Sequence, residues 1–415
     1  MEYKLAASSW GDEEIQAMQK VIDSGMHSMG SKVVEFEKKF ASYIGTKHAI
    51  MVNSGSSANL IGFHALKLLK FNQARHKIKV AVPAVSWSTT FFPLQQLGFQ
   101  LVFIDVDLRN FNMDLDMLEK VAENNDLDFV CGVNLLGNPV DFERLSSICD
   151  ENNIIFVEDN CESLGAEYND KKTGGFGLFG SFSFFFSHHL VTMEGGMICT
   201  NNGELANYAR SLRAHGWLRE VDEDSHLHNL LKGVSEFEKK FRFVVPGYNL
   251  RPIEMEAAIG LEQLKKADSF FKMRRSNFSK IKKIISQYED FHIQDAYERS
   301  TWFGFGILLK NNLEGRRDDL VNYFEKYNIE ARPLLAGNFL KNPVIEHIDH
   351  IVPHACKNSD YIDTYYLGPI ITYQENEDSN SPHILIDGQQ RFTTLILLLC
   401  AMRDLLKTDE EKDPE

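Results

Sequence analysis

The sequence has no uninterrupted run of about 18 apolar residues, the length that a helix needs to cross a bilayer, so no membrane span is expected. Its first residues show no apolar segment of the signal-peptide kind, and we expect a cytoplasmic protein. Basic residues are outnumbered, because 44 lysines and arginines stand against 59 aspartates and glutamates, for a net charge of −15. Nucleic-acid surfaces call for basic patches, so no nucleic-acid partner is expected.

The six cysteines are scattered, at positions 131, 149, 161, 199, 356 and 400, and none forms a Cys-x-x-Cys pair. This spacing predicts neither a zinc site nor an iron–sulfur cluster, so no metal centre is expected. A reducing compartment is the natural setting for such a chain. Its 415 residues, 43% of them hydrophobic and 25% charged, are enough for two or three domains with sizeable cores.

Short apolar strands alternate with amphipathic helices from about residue 49 to residue 200. This order predicts an α/β fold, with a mostly parallel sheet covered by helices on both faces. The predicted strands before residue 160 cover Ala49–Asn53, Lys77–Val82, Leu101–Asp105, Phe129–Leu135 and Ile154–Val157.

The stretch from Ser181 to Gly196 organises the rest of the chain. Serine and phenylalanine alternate in it, which suits a strand with one polar and one apolar face. Then come His188, His189 and the sequence Glu194-Gly195-Gly196, before another short strand. We expect this hairpin to push both histidines out at its turn, where a loop can present a catalytic group.

Three further patterns stand where open α/β sheets bind ligands. Ser54-Gly55-Ser56-Ser57 joins a strand to a helix, and free amides at a helix start bind anions, although an ordinary N-cap is the alternative. Asp159 follows a buried strand, where it could contact a ligand or, alternatively, cap a helix. Trp87 lies just beyond a strand end, where its ring could stack on a ligand or, alternatively, pack in the core.

These residues together resemble the DegT/DnrJ/EryC/StrS family of pyridoxal-phosphate sugar aminotransferases. That family has a Ser-Phe-Ser-Phe-Tyr-x-x-Lys pattern before Glu-Gly-Gly, and its lysine binds the cofactor covalently. Here the lysine position is His188, and no lysine occurs between Lys172 and Lys232. An imidazole is not a primary amine, so it leaves proton transfer as the available chemistry. Within the family, this exchange is the mark of the 3-dehydratases.

The resemblance implies a role for each site residue. Gly55 and Ser56 contact the cofactor phosphate, Trp87 stacks on the ring, and Asp159 pairs with the ring nitrogen. Glu162, which stands where family aminotransferases usually have glutamine, lies near the ring hydroxyl, and Ser183 lines the same pocket. His215 is a candidate substrate contact, or a loop histidine without a role. Asn249, in Tyr248-Asn249-Leu250-Arg251, reaches the phosphate of the partner subunit, which implies a homodimer with shared active sites.

The implied fold is that of fold type I pyridoxal-phosphate enzymes, and the implied reaction is 3-dehydration of a nucleotide-linked 4-keto-6-deoxyhexose with GDP as the expected nucleotide. Pyridoxamine phosphate is held without a covalent bond, and His188 moves the proton. Ammonia is released, and glutamate restores the amine form of the cofactor. The alternatives are a CDP-linked 3-dehydratase with an iron–sulfur centre, an ordinary aminotransferase, and a non-catalytic cofactor-binding or nucleotide-binding defence protein.

The chain is divided into three predicted parts. Residues 1–245 form the large cofactor-binding domain, and residues 246–363 form a smaller C-terminal α+β domain that lacks its expected final elements. We expect helices over Ile253–Leu264 and Lys265–Tyr288, and strands over Thr301–Leu309 and Ile329–Leu335. Residues 364–415 contain Asp387-Gly388-Gln389-Gln390-Arg391 and resemble the start of DGQQR-motif, ParB-like proteins of restriction and defence systems, either as a fusion scar or as a second module.

Overall fold

The computed structural model describes residues 6, 8–124, 127–348, 351–352 and 365–367, the last two segments by their backbone alone. The predicted fragment 364–415, including its DGQQR motif, therefore lies outside the described residues except for Tyr365–Leu367. Within the described part of the chain, no helix combines the length and apolar character that crossing a membrane would require.

The helices and strands follow one another in an alternating order over most of the chain. The strands are β1 (His48–Val52), β2 (Lys79–Pro83), β3 (Gln100–Ile104), β4 (Phe129–Val133), β5 (Ile155–Asp159), β6 (Glu167–Tyr168), β7 (Lys171–Lys172), β8 (Gly180–Ser183), β9 (Gly196–Thr200), β10 (Phe291–Ile293), β11 (Phe305–Leu309), β12 (Ala331–Pro333), β13 (Ile351–Val352) and β14 (Tyr365–Leu367).

The helices are α1 (Asp12–Ser24), α2 (Ser31–Ile44), α3 (Gly55–Lys70), α4 (Ser88–Gln96), α5 (Leu115–Asn124), α6 (Phe142–Glu151), α7 (Gly203–Arg213), α8 (Glu236–Lys239), α9 (Glu254–Ile285) and α10 (Arg317–Lys326). Helices predicted separately over Ile253–Leu264 and Lys265–Tyr288 are in fact one helix, α9. The composition becomes basic after Leu264, but no glycine or proline interrupts the backbone hydrogen bonds there.

The large sheet has eight described strands in the order β1-β9-β8-β5-β4-β2-β3-β13. Strand β9 runs antiparallel to both of its neighbours, and the other described pairs are parallel. Helices α3, α4 and α7 pack on one face, and α2, α5, α6 and α9 pack on the other. The expected mostly parallel sheet with helices on both faces is therefore confirmed.

A second, smaller sheet has the order β10-β11-β14-β12, and all its pairs are antiparallel. Its core includes Phe278, Phe305, Ile307 and Leu320, which are buried between the sheet and helices α9 and α10. Strand β14 lies beyond residue 363 and pairs with both β11 and β12. The predicted domain boundaries remain a prediction.

Candidate active site

A cavity of about 310 Å³ lies at the carboxyl ends of the parallel strands, where open α/β sheets bind ligands. Its walls come from the segments that follow β1, β2, β5 and β8. Phe303, Arg332 and Leu335, which lie in or next to the strands of the smaller sheet, complete them. Several residues predicted from the sequence line it: Gly55, Ser56, Trp87, Asp159, Glu162, Ser183 and His188.

Helix α3 points its first turn at this cavity. The side chain of Ser54 caps the helix by accepting a hydrogen bond from the amide of Ser57 at 3.1 Å. The first amides of a helix have no partner within it, and they carry the positive end of the helix dipole. A Cβ atom at Gly55 would collide with the side chain of Ser183, so this close approach of backbone to strand requires glycine. The cavity therefore has a preformed anion-binding corner.

A network of hydrogen bonds fixes the buried carboxylate of Asp159. Its Oδ2 accepts from Asn59 Nδ2 at 2.9 Å and from Thr90 Oγ1 at 2.8 Å, and its Oδ1 accepts from the amide of Cys161 at 3.1 Å. Ser181 in turn donates to Asn59 Oδ1 at 2.6 Å. The carboxylate is thus held in one position in the cavity wall, which it shares with the indole of Trp87, a side chain that is 49% exposed.

Glu162 lies next to Asp159 in the cavity wall and is almost fully buried. Its Oε2 accepts a hydrogen bond from the amide of Leu136 at 3.0 Å. Burial raises the pKa of this carboxyl from its usual 4.5 to about 7, against the smaller opposing effects of that amide and of Arg332. Glu162 can therefore bind or release a proton near neutral pH.

The orientation of the two histidines corrects the sequence-based expectation. His188 lies at a turn, where its amide donates to the carbonyl of Phe185 at 2.8 Å, but its half-buried ring turns inward, lines the cavity and stacks on Phe303 with the centroids 5.0 Å apart. Burial lowers the pKa of His188 to about 3, and a hydrogen bond to the backbone of Cys161 opposes this in smaller measure. His188 Nδ1 has no hydrogen-bond partner. The imidazole is thus neutral at neutral pH, and this nitrogen is buried.

His189 is also not pushed outward. It is buried, and its ring lies between Phe271 of α9 and Phe303, at centroid distances of 5.6 and 5.7 Å. The packing of α9 and of the segment before β11 over the β8–β9 connection turns both histidines into the protein. A local sequence pattern carries no information on this packing, which is why the prediction was wrong.

Two of the predicted residues do not line the cavity of this chain. The ring of His215 lies edge-on to Trp217, with the centroids 4.9 Å apart. Asn249 is exposed, and its Oδ1 accepts a hydrogen bond from Arg251 Nε at 3.1 Å. Their assigned roles remain predictions.

Phe303 and Arg332 are among the cavity residues that have no assigned role in the sequence analysis. Arg332 stands within the predicted strand Ile329–Leu335, so the sequence located the segment but gave the side chain no role. Phe303 stands in an aromatic stretch of a kind that is common in buried segments of many proteins, so the pattern does not indicate a site. No local pattern could have placed it beside His188.

The model of the DegT/DnrJ/EryC1/StrS aminotransferase family matches residues 8–374. A second model, that of the GmrSD restriction endonuclease N-terminal domain, matches residues 343–415, the part that contains the DGQQR motif.

Among individual proteins, the chain is 45% identical over 366 residues to GDP-4-keto-6-deoxy-D-mannose 3-dehydratase from Yersinia pseudotuberculosis, a match that covers 88% of this chain and 93% of that protein. Among solved structures, it resembles the Escherichia coli enzyme of that name with bound hydrated PLP, with a TM-score of 0.84, 40% identity and coverage of 89% of this chain and 95% of that one.

A further structure of GDP-4-keto-6-deoxymannose-3-dehydratase, with a trapped PLP–glutamate geminal diamine, has a TM-score of 0.84 and 40% identity. That match covers 88% of this chain and 95% of the other.

Proposed function

Because this chain belongs to the DegT/DnrJ/EryC1/StrS aminotransferase family, we propose that it is a 3-dehydratase that removes the 3-hydroxyl group of a GDP-linked 4-keto-6-deoxyhexose in dideoxysugar synthesis. The observation that carries the proposal is His188, an imidazole that lines the cavity where the family's aminotransferases have a lysine. No lysine is among the described residues that line this cavity. The fold is that of fold type I pyridoxal-phosphate-dependent transferases.

The residues present fit pyridoxal or pyridoxamine phosphate. The corner formed by Gly55 and Ser56 at the start of α3 suits its phosphate, and it exists because glycine lets the backbone approach Ser183. Asp159 offers a fixed carboxylate to the ring nitrogen, Trp87 offers a flat exposed surface, and Glu162 offers a carboxyl that is protonated or ionised near neutral pH. When bound, the cofactor supplies an electron sink for negative charge that develops beside its amine.

His188 moves the protons. Burial keeps the imidazole neutral at neutral pH, which is the state that can accept a proton from a carbon acid held in the cavity, while the lowered pKa by itself makes it a weaker base. The imidazolium formed in this way is unfavourable in its buried surroundings. It therefore readily passes the proton on, and the departing 3-hydroxyl group of the sugar is the acceptor. An imidazole cannot replace the amine that attaches the cofactor in aminotransferases, so binding relies on the contacts described above.

We propose that two copies of the chain form the working enzyme, with Asn249 serving the cavity of the partner subunit. In support, Asn249 is exposed and does not line the cavity of its own chain. Its neighbour Ala214 forms a β-bridge with it, which holds the Asn249 backbone beside the end of α7. Glutamate is the proposed amine donor, and the cytoplasm is the proposed location.

The test is incubation of the purified protein with pyridoxal phosphate, glutamate and GDP-4-keto-6-deoxy-D-mannose. A 3-dehydratase releases one ammonia for each 4-keto-3,6-dideoxy sugar that it forms, whereas an aminotransferase forms an amino sugar and releases none. His188→Asn, which keeps a polar side chain but cannot shuttle a proton at neutral pH, is the matched control and should form neither product. Formation of an amino sugar by the wild-type protein would contradict the proposal.

A further inference from the structure

The β8–β9 connection, residues 184–195, carries His188 and is held from outside at Val191. The amide of Val191 donates to Gln263 Oε1 at 3.3 Å, and its carbonyl accepts from Trp10 Nε1 at 2.9 Å. These partners lie 72 and 181 residues away in the chain. A buried backbone that is paired at both its N–H and its C=O cannot move without losing hydrogen bonds, so Val191 is fixed.

The hold on Val191 extends to His188, because the connection closes on itself at the next residue. The amide of Thr192 donates to the carbonyl of Phe184 at 3.0 Å, and the amide of Phe184 donates to the carbonyl of Gly195 at 2.9 Å. His188 therefore lies inside a short closed loop, and the closing end of that loop is the part that the outside contacts hold.

Gln263 of α9 is fully buried, and its amide uses all of its hydrogen-bonding capacity. Its Oε1 accepts from Ser9 Oγ at 2.8 Å as well as from Val191. Its Nε2 donates to the carbonyl of Ser9 at 3.2 Å and to Glu14 Oε1 at 2.8 Å. A glutamine amide offers two donors and two acceptor sites, so these four partners leave it one orientation. A satisfied polar group of this kind makes buried structure rigid.

Glu14, at the start of α1, joins the N-terminal segment to the same part of α9. It is fully buried, and its Oε2 accepts from the amide of Gly11 at 2.7 Å and from Lys266 Nζ at 2.9 Å. Lys266 lies one helical turn after Gln263 on α9. Four side chains thus form one unit, which we call the clamp: Ser9, Trp10, Glu14 and Gln263.

The clamp lies behind the connection and not in the cavity. None of its four residues is among the described residues that line the cavity. Further along α9, Phe271 packs against the ring of His189 with the centroids 5.6 Å apart. Helix geometry separates Phe271 from Gln263 by about 12 Å along the axis, so α9 supports the connection at two separate points.

We propose that the clamp positions His188 for proton transfer by holding the backbone of Val191. This inference rests on the proposed function, because it requires that His188 moves the proton. Proton transfer depends steeply on distance and alignment, so a small displacement of the connection slows it without removing any group that binds the cofactor or the sugar. Gln263 and Trp10 are therefore positioning residues.

The first measurement compares turnover with binding in two variants. Gln263→Leu keeps the approximate size of the side chain and removes its hydrogen bonds, and Trp10→Phe keeps an aromatic ring and removes the bond to Val191. For dehydration of GDP-4-keto-6-deoxy-D-mannose, kcat should fall by roughly tenfold in Gln263→Leu and by roughly threefold in Trp10→Phe. The KM for the sugar and the Kd for pyridoxal phosphate should change by less than about twofold, because the cavity wall keeps its groups.

The second measurement is hydrogen exchange of the protein without cofactor or substrate. Peptides that cover residues 184–195 should exchange faster than in the wild-type protein, by roughly tenfold in Gln263→Leu and by a smaller factor in Trp10→Phe. Asn207→Leu is the matched control, since it removes a buried amide on α7 whose Oδ1 accepts from the amide of Asp222 at 3.1 Å. It should lower Tm but change neither kcat nor the exchange of residues 184–195.

Several outcomes overturn the inference. Unchanged exchange of residues 184–195 in both variants would show that the clamp does not hold the connection, and an equal loss of kcat in Asn207→Leu would reduce the effect to general instability. Weaker cofactor binding with an unchanged kcat would assign the network to ligand binding.

The two measurements also separate this inference from the proposed function. If Gln263→Leu does not fold, Trp10→Phe decides both measurements by itself. If the wild-type protein never dehydrates the sugar, the proposed function fails, while hydrogen exchange still tests whether the clamp holds the connection.

Discussion

The imidazole of His188 stacks on the ring of Phe303, with centroids 5.0 Å apart and planes inclined by 27°. His188 follows β8 of the large sheet, whereas Phe303 precedes β11 of the smaller one. The amide of Phe303 donates to the carbonyl of Leu136 at 2.8 Å, and its carbonyl accepts from Arg274 Nη1 at 3.2 Å. The orientation of the proposed base thus depends on how the smaller sheet's region packs on the larger one.

Phe303→Leu should lower kcat for dehydration by roughly tenfold, because a misplaced base loses proton-transfer efficiency even when substrate binds normally. The KM for the nucleotide sugar and cofactor retention should change little. Phe305→Leu is the matched control, since Phe305 is also buried but packs against Phe278, away from His188. The two variants should show similar losses of Tm, and an equal kcat in both would contradict the positioning role.

The sequence was informative where function depends on strand order. Gly55 and Asp159 directly follow predicted strands, and parallel strands bring their carboxyl ends to one edge, so their convergence could be foreseen. The inward orientation of His188 and His189 could not, because Phe271 and Phe303 set it from about 80 and 115 residues away in the chain. Contacts of this kind follow from tertiary packing and leave no local pattern.

His188→Lys should convert non-covalent cofactor binding into a covalent attachment, because it places a primary amine in the cavity wall. Borohydride reduction followed by intact mass measurement should then show a protein adduct of the cofactor's mass, and dehydration should be lost. The wild-type protein and His188→Asn should show no adduct after the same treatment. A stable adduct in the wild-type protein would mean that another lysine reaches the cofactor.

Gly55→Ala should weaken cofactor binding by roughly tenfold or more, because the added Cβ collides with Ser183 and forces the start of α3 away from the anion-binding corner. Equilibrium dialysis with pyridoxal phosphate measures this loss. Gly203→Ala provides a control, since Gly203 begins α7 in the same way but its added Cβ would meet nothing closer than His48 Nε2 at 3.7 Å. An unchanged affinity of Gly55→Ala for pyridoxal phosphate would show that the cofactor phosphate does not bind at this corner.

The pH dependence of stability should reveal the raised pKa of Glu162. In the unfolded chain this carboxyl ionises near its usual 4.5, whereas in the folded protein its pKa is about 7. Between these values the folded state binds more protons than the unfolded one. The contribution of this group to stability is therefore greatest below pH 4.5 and is lost as the pH rises through 7.

Glu162→Gln should remove this dependence, since a neutral amide can still accept the hydrogen bond from Leu136. We expect the variant to gain stability relative to the wild-type protein between pH 5 and pH 8, by something of the order of 1 to 3 kcal/mol. Tm measured across this range without cofactor tests it. Glu119→Gln, which changes a half-exposed carboxylate paired with Arg144, should leave the dependence of Tm on pH unchanged. Parallel Tm profiles for Glu162→Gln and the wild-type protein would contradict the pKa assignment.

If Asn249 contacts the cofactor phosphate in the partner subunit as proposed, Asn249→Ala should reduce cofactor retention without dissociating the dimer. Retention is measured by dialysis, and the oligomeric state by light scattering after size exclusion. Arg251→Ala distinguishes the two possible roles of Asn249, because Arg251 is its hydrogen-bond donor within the same chain. If both variants lose cofactor equally, the pair acts through local structure. If only Asn249→Ala loses it, the amide itself contacts the ligand. Mixing this variant with His188→Asn subunits should then restore dehydration, because one of the two sites of a mixed dimer has both His188 and the partner's Asn249. Mixed dimers without activity would mean that Asn249 serves the site of its own chain.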